Sequence, residues 1–465
     1  MADHQLSLAV NGRERQLHRK LVPFQVAGPA AGHDNGNGTG NGNGHPASTL
    51  SVAIVGLGYV GLPTALALHG RCDRIIGVDT SQQRLDTIAA QHADLAETDQ
   101  PKLAAALADG TLELTSDMAA ITAADAVIIC VPTPVDDSRV PDLAALRGAC
   151  ADVVRHARRG QAIILTSTTY VGTTRDLVIK PLAQRGLNAG ADVSVGFSPE
   201  RIDPGNPDHL QRETPRVVGG ATPACVRRTA AVIGRLTASV YLVSSPEVAE
   251  ATKLYENIFR AVSLALANEF ADACGALSLD PIEVTLAAGT KPYGFLGVFP
   301  GPGVGGHCIP CDPHYLLWQL AQANQRSPLI EQAMASIGQR PDRVVARASE
   351  VLAGSGRDLA GARVIVVGVS YKAGVRDLRE SPALAIVTSL RERGAEVSLY
   401  DPLVPEVPQP DGPALRSVTA PDGAAYDLAV IHTLHPGVDY AWVNACPWVL
   451  DATYQFEDAP HRVVV

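Results

Sequence analysis

At 465 residues the chain is long for one domain and suits two or three. Apolar residues make up 46% and charged residues 18%, the balance of a globular protein, and no run of 18 apolar residues offers a transmembrane helix. A formal net charge of −10 argues against a nucleic-acid or anionic-membrane partner while leaving room for a local basic pocket.

Residues 1–48 read as a disordered tail. Within it "NGNGTGNGNG" (35–44) alternates Gly with Asn or Thr, cannot bury apolar surface, and is expected to be a flexible linker. Ahead of that linker Arg13, Arg15, Arg19 and Lys20 offer a second reading, a tether for a partner or membrane surface. The charged-then-apolar layout of a signal peptide is missing, and Asp3 and Glu14 weaken a transit-peptide reading. Most of the eight cysteines lie in apolar runs, as buried thiols do in a reducing compartment, so a cytoplasmic protein is expected.

From residue 50 the pattern changes. "TLSVAIVG" reads as a buried strand, "LGYVGLPTALALHG" opens a helix, and "RIIGVD" is a second strand. "DAVIICV", "QAIILTS" and "DVSVGFS" are further β-branched strands separated by helical stretches. This alternation predicts a parallel, doubly wound sheet forming one domain over 49–240. A long helix follows over 245–276, with Ser245 as N-cap, Pro246 as first helical residue and Gly275 as its end. It is expected to bridge domains and to offer a dimerisation face, within a central helical region over 241–350. Residues 351–465 repeat the first pattern in miniature, with strands in "GARVIVVGVSYK", "AEVSLYDP" and "YDLAVIHT" around the helix "SPALAIVTSLRERG". The expected fold class is α/β, two Rossmann-like doubly wound domains joined by a long central helix.

Gly56-Leu57-Gly58-Tyr59-Val60-Gly61 matches G-x-G-x-x-G directly after a strand and at the start of a helix, the context that motif requires. Gly56 permits the tight turn, Gly58 lets the backbone approach a pyrophosphate, and Gly61 lets helix pack on strand. The pyrophosphate would rest on free N–H groups at the helix N-terminus. Asp79, closing the second strand, would bind ribose hydroxyls and repel a 2′-phosphate, which favours NAD over NADP. Tyr59, Val60 and Arg84 are expected beside the cofactor, as are Pro132 and Thr133 in "CVPTP" at the end of the next strand.

The stretch "GVGGHCIPCDPHY", ending at Tyr315, holds Cys308 and Cys311 between His307 and His314. It admits a structural zinc site, a dithiol switch, or a nucleophile on a glycine-built loop. Structural zinc normally draws on two separated ligand pairs, whereas all four candidates here fall within one short proline-stiffened loop. No metal is therefore expected. The i, i+3 spacing of the cysteines leads to a further expectation, a reversible Cys308–Cys311 disulfide under oxidation.

Seven segments in order resemble the nucleotide-sugar dehydrogenase family, typified by UDP-glucose, GDP-mannose and UDP-N-acetylhexosamine 6-dehydrogenases. They are "GLGYVGLP", "VPTP", "STTYVGTT" (167–174), "SPERIDPGN" (198–206), "KLYEN" (253–257), the cysteine stretch and "YKAGVRDLRESPA" (371–383), spanning about 50–460. The resemblance implies four-electron oxidation of a sugar C6 alcohol to the uronic acid with NAD. Cys308 matches the nucleophile that forms a thiohemiacetal and then a thioester. Asp312 matches the acid working with a water, Lys253 the stabiliser of the oxyanion, and Asn257, one helical turn on, a residue holding the sugar. Glu200 matches a carboxylate assisting thioester hydrolysis, and Thr168 a hydroxyl beside the water and cofactor. Arg201, Arg260, Phe299, Gly306 and Lys372 are expected at the UDP-sugar, and Arg379 toward the NAD side. The domain 351–465 would bind the UDP-sugar, the ligands lying between domains, and a homodimer or higher homo-oligomer is expected.

Two departures bear on the substrate. UDP-glucose enzymes usually carry "GGSCFPKD", where this chain has "GGHCIPCD", and Pro204 stands where that branch has a second Glu. Both point to the UDP-N-acetylhexosamine branch, with UDP-N-acetylglucosamine first, UDP-N-acetylmannosamine second and UDP-glucose third. Cys311 is unusual even there. A non-catalytic NAD-binding or zinc-binding regulatory protein is the reading from another class, and the set Thr168, Glu200, Lys253, Asn257, Cys308 and Asp312 argues against it.

Overall fold

The computed structural model describes residues 50–95, 98–136, 138–201, 212–409, 413–456 and 459–465. The tail 1–48 and Pro204, with the expectations placed on them, lie outside the described residues.

Eight strands form the first sheet: β1 (Ser51–Val55), β2 (Arg74–Val78), β3 (Leu112–Thr115), β4 (Ala126–Ile129), β5 (Ala162–Leu165), β6 (Ser194–Phe197), β7 (Arg216–Gly220) and β8 (Val240–Leu242). Their order is β3-β2-β1-β4-β5-β6-β7-β8, so the winding reverses between β1 and β4. Val52 pairs with Ile75 on one side and Ala126 on the other, in parallel register. β4 and β5 are buried along their whole length, and β1 at all but Ser51, as expected of strands covered on both faces. Each Val or Ile so buried contributes roughly 1.5–3 kcal/mol.

One expectation is corrected. The sheet is not parallel throughout, because β6 and β7 run antiparallel, with Phe197 opposite Gly219. β7 opens on Arg216 and β8 has only three residues, so neither stands out as a long apolar run in the sequence.

The second sheet uses β9 (Arg363–Val367), β10 (Glu396–Tyr400), β13 (Leu428–Ile431), β14 (Val449–Asp451) and β15 (Arg462–Val464), all parallel, in the order β10-β9-β13-β14-β15. β11 (Glu406–Val407) and β12 (Leu415–Arg416) pair as a short antiparallel ribbon.

The two sheets repeat one turn in atomic detail. After β1 the Gly56 N–H donates to Val78 O at 2.8 Å, and after β9 the Gly368 N–H donates to Tyr400 O at 2.7 Å. The next amides, Leu57 and Val369, donate to the carboxylates of Asp79 at 2.8 Å and Asp401 at 2.7 Å. Both glycines have positive φ, +89° and +78°. A Cβ on Gly56 would lie 2.8 Å from Cys130 O, and one on Gly368 would land on Thr433 O. Backbone of the strand across the winding reversal excludes any side chain at these turns.

A 31-residue helix, Pro246–Ala276, carries the chain from one compact unit, ending at Leu254, into the other, Tyr255–Val465. The helical stretch 241–350 is thus shared between the units. Ser245 Oγ accepts the Val248 N–H at 3.3 Å, as an N-cap does. Gly275 does not end the helix. It continues to Ala276, and the reversal falls at Ser278, φ +59°, with Leu279 N–H donating to Cys274 O at 2.9 Å.

Candidate active site

In the first unit the glycine-rich turn sits at the winding reversal, the usual ligand crevice of such sheets. The three glycines differ in what surrounds them. A Cβ on Gly61 would land on Gly56 O, whereas one on Gly58 would meet nothing within 4 Å. Gly56 and Gly61 are therefore demanded by packing, and Gly58 leaves open space at the N-terminus of the helix Gly61–Leu68. That space fits a pyrophosphate, so these residues suit NAD.

Asp79 is already engaged. Its Oδ2 accepts the Leu57 N–H and its Oδ1 the Ser81 N–H at 2.9 Å, so it anchors the turn as well as closing β2. Arg84 Nε donates to Leu57 O at 2.9 Å, and the Tyr59 hydroxyl to Asp94 Oδ2 at 3.0 Å. Val60 is half-buried; Pro132 is exposed and Thr133 buried, just beyond β4.

Thr168 follows β5 and is half-buried, at the head of the turn 167–174. Glu200 is bound to Arg216: Nη1 reaches Oε2 at 2.5 Å, and the arginine is 1% exposed. Its other oxygen accepts the Arg201 N–H at 2.8 Å, while Arg201 Nη1 reaches Pro215 O at 2.8 Å. Arg216 escaped sequence reading, although an arginine heading the wholly buried run "RVVGG" was a visible sign. Lys253 is buried on the long helix, and Glu250, one turn before it, is buried too.

In the second unit the cysteine loop and the long helix meet. Asn257 Nδ2 donates to Asp312 Oδ2, and both residues are buried. The Asp312 N–H donates to Cys308 O at 2.8 Å and the Cys311 N–H to the same oxygen at 3.3 Å, so Cys308 caps the turn that opens the helix Asp312–Gln322. Cys308 is the one exposed cysteine, while Cys311 and the other six are buried, all of them as thiols. Burial pushes the Cys130 and Cys150 thiols up to about 12, which makes them inert. Among the described residues no group of three or more His, Cys, Asp and Glu is placed to hold a metal ion.

The loop before Cys308 is clamped from several sides. Gly301 N–H donates to Asn268 Oδ1 at 2.9 Å, and Gly301 O accepts Arg340 Nε at 3.0 Å. Arg340, 3% exposed, also binds Asp272 at 2.7 Å. Gly306, φ +82°, donates its N–H to Arg379 O at 2.9 Å, and a Cβ there would lie 2.9 Å from the Tyr371 ring. Burial, then the Arg379 charge, holds His307 below the usual imidazole range, so it is neutral near pH 7.

Arg379 forks onto Asp377, its Nη2 at 2.6 Å, and is exposed; Lys372 is half-buried in the same loop. Arg260 and Phe299 are exposed. Behind the loop, His435 Nδ1 accepts the Gly374 N–H at 3.0 Å, and its Nε2 lies 3.2 Å from Asp401. Asp401 directly follows β10 as Asp79 directly follows β2, a parallel visible in the sequence.

Sequence models of the UDP-glucose/GDP-mannose dehydrogenase family match the chain in three parts: the NAD binding domain over 50–237, the central domain over 247–336 and the UDP binding domain over 365–457. The UDP-N-acetyl-D-mannosamine dehydrogenase of Salmonella typhi is 32% identical over 422 residues, 88% of this chain and 97% of that protein. The UDP-N-acetyl-D-glucosamine 6-dehydrogenase of Pseudomonas aeruginosa is 32% identical over 389 residues, 83% of this chain and 91% of that protein. Among solved structures, the UDP-D-ManNAc dehydrogenase of Pyrococcus horikoshii superposes with a TM-score of 0.81 at 29% identity, covering 89% of this chain and 98% of that one.

Proposed function

The chain belongs to the UDP-glucose/GDP-mannose dehydrogenase family, as an NAD-dependent nucleotide-sugar 6-dehydrogenase, and we propose that it oxidises C6 of UDP-N-acetylglucosamine to the uronic acid. The observation that carries the chemistry is Cys308, exposed at the head of a turn whose Asp312 is held by Asn257. His307 beside Cys308 supports an N-acetylhexosamine over glucose. UDP-N-acetylmannosamine is the second reading, supported by the Salmonella and Pyrococcus relatives named for it; UDP-glucose is the third.

Bound NAD⁺ supplies the hydride acceptor for both oxidations. The first yields the C6 aldehyde, and the Cys308 sulfur adds to it as a thiohemiacetal. Lys253 stabilises the oxyanion of that adduct, and Asp312 with a water takes its proton. Oxidation of the adduct leaves a thioester. Water attacks it, with Glu200 and Thr168 directing the water, and the Cys308 thiolate departs. The Arg216 guanidinium holds the Glu200 carboxylate oriented for that task. Asn257, Arg260, Phe299, Gly306, Arg201 and Lys372 bind the UDP-sugar, and Arg379 turns to the cofactor.

The long helix supports a homodimer. Tyr255, Phe259, Leu266 and Phe270, with Leu277 just past its end, are exposed at intervals of four and seven residues and so form one stripe. A contiguous exposed apolar stripe of this kind calls for a partner, here a second copy. Among the described residues no helix is long and apolar enough to cross a membrane. The eight thiols support a reducing, cytoplasmic setting, and a nucleotide-linked uronic acid is suited to polysaccharide assembly.

The test is NADH formation from NAD⁺ with a panel of UDP-sugars. One N-acetylhexosamine substrate should yield about two NADH per sugar, and Cys308→Ser should abolish that yield. No NADH with any nucleotide-sugar would sink the reading.

A further inference from the structure

Glu250 is 1% exposed, yet a carboxylate is the costliest way to satisfy a few backbone donors. Its Oε2 accepts the Gly172 N–H at 2.6 Å, and its Oε1 accepts both the Thr174 N–H at 2.8 Å and the Thr174 hydroxyl at 2.6 Å. Thr174 is where the π-helical turn Thr174–Ile179 begins. Such turns are rare and recur at functional sites. The carboxylate thus caps the free amides at the start of that helix, where negative charge is favoured.

The turn is fastened a second time. Arg175 Nη1 reaches Glu247, one turn before Glu250, at 3.3 Å. Gly172 has φ +102°, and a Cβ there would lie 2.6 Å from the Arg175 guanidinium, so the chain closes tightly. Inside the turn Thr173 Oγ1 donates to Tyr170 O at 2.8 Å and meets Thr169 Oγ1 at 2.7 Å. The whole stretch from Thr169 to Thr174 is therefore internally braced and tied to the helix through Glu250. Thr168 stands at one end of this brace, and Lys253 lies one helical turn beyond the carboxylate.

We propose that Glu250 is a positioning residue for the oxidation: its carboxylate clamps the 172–174 turn to the long helix and so sets Thr168 against the helix face that carries Lys253. This rests on the roles given above to Thr168 and Lys253. A side chain of the same size but no charge cannot replace it. In Glu250→Gln the amide oxygen can take the Thr174 donors, which leaves the –NH₂ facing the Gly172 N–H, donor against donor.

The experiment uses the full-length enzyme and three readouts. Amide hydrogen exchange at Gly172 and Thr174 tests the clamp without any substrate. Glu250→Gln should speed exchange at Gly172 by at least about tenfold, and unchanged protection would overturn the clamp. Steady-state kinetics test its consequence. E250Q should lower kcat by about tenfold to a hundredfold with KM for NAD⁺ and sugar within about threefold, because misplacement acts on the transition state. Loss through KM alone, or kcat within twofold of the parent at a temperature where both are folded, would overturn it.

The third readout is coupling. In a Thr168→Ala background the same substitution should cost no more than about threefold, since its effect runs through Thr168. Equal losses in both backgrounds would overturn that route. Glu250→Asp, which keeps the charge on a shorter stem, should fall between parent and Gln, and it carries the same comparisons if the Gln chain does not fold. A parent enzyme that makes no NADH would sink the roles of Thr168 and Lys253 while leaving the exchange result to judge the clamp.

Discussion

Asn257 donates its side-chain N–H to the Asp312 carboxylate across a gap of 55 residues in sequence, both groups being buried. The bond ties the long helix to the turn that Cys308 caps. Asn257→Asp would bring two buried carboxyls together, and one of them would have to hold a proton. The expected result is a kcat loss of about a hundredfold or more with an acid limb displaced to higher pH. Asn257→Ala should cost about 1–3 kcal/mol in urea unfolding, the penalty of an unmet buried acceptor. An N257D enzyme with parental kcat across pH would refute the assignment.

The three glycines of the nucleotide turn separate folding from binding. Gly56→Ala and Gly61→Ala place a methyl against backbone, at Cys130 O and Gly56 O, and should unfold the first unit or lower its Tm sharply. Gly58→Ala meets nothing within 4 Å and should leave Tm within about 2 °C. Its methyl would instead stand where the pyrophosphate approaches, raising KM for NAD⁺ by about tenfold or more. Thermal shift with and without NAD⁺ distinguishes the cases; a G58A chain that binds NAD⁺ normally would contradict this placement.

Acid stability should turn on His432. Thr433 Oγ1 donates to Ser370 O, so it accepts from His432 Nδ1 at 2.8 Å, and the buried Nε2 has no partner among the described residues. Burial lowers His432 to about 4, against the opposing charge of Asp401. The unfolded chain therefore binds the proton first, so this stability is present above pH 6.5 and is lost as pH falls toward 4, on the order of 3 kcal/mol. Glu250 acts with the opposite sign. Burial raises it to about 6, so its contribution is present below pH 4.5 and is lost as pH rises toward 6. Urea midpoints near pH 7 and pH 4.5 should differ less in His432→Asn, and more in Glu250→Gln, than in the parent. Parallel shifts in all three chains would show that neither group titrates as described.

The apolar stripe on the long helix predicts the assembly state. Leu266 and Phe270 are one turn apart, 65% and 45% exposed. Leu266→Glu with Phe270→Glu should convert a dimer to monomers by light scattering, because each buries a charge in the interface without a partner. The far-UV spectrum should be kept. A parent that is monomeric at micromolar concentration would remove the reason for the stripe.

Several features were legible in the sequence because their causes are local. Apolar runs announced β1, β2, β4, β5, β9 and β13, shorter β-branched and aromatic stretches announced β6 and β10, and the glycine spacing of 56, 58 and 61 announced a strand-turn-helix. Lys253 and Asn257 were legible as polar residues on an apolar helix, and Cys308 as a thiol among glycines. Glu250, three residues before Lys253 and so on the same face of that helix, could have been found in the same way. Asn268, Arg340 and His435 carried no comparable signal, since what defines each is a partner far away in the chain.

What the sequence determined by itself was therefore the α/β architecture, the nucleotide turn and the short roster of reactive side chains. Only the tertiary structure decided the antiparallel β6–β7 pair, the exposure of Cys308 beside a buried Cys311, and the partners that hold each carboxylate. The physical reason is range. Periodicity and turn chemistry act over a few residues, whereas Glu200 with Arg216, Asn257 with Asp312, and Glu250 with Thr174 are separated by 16, 55 and 76 positions and meet only when the strands and helices have packed.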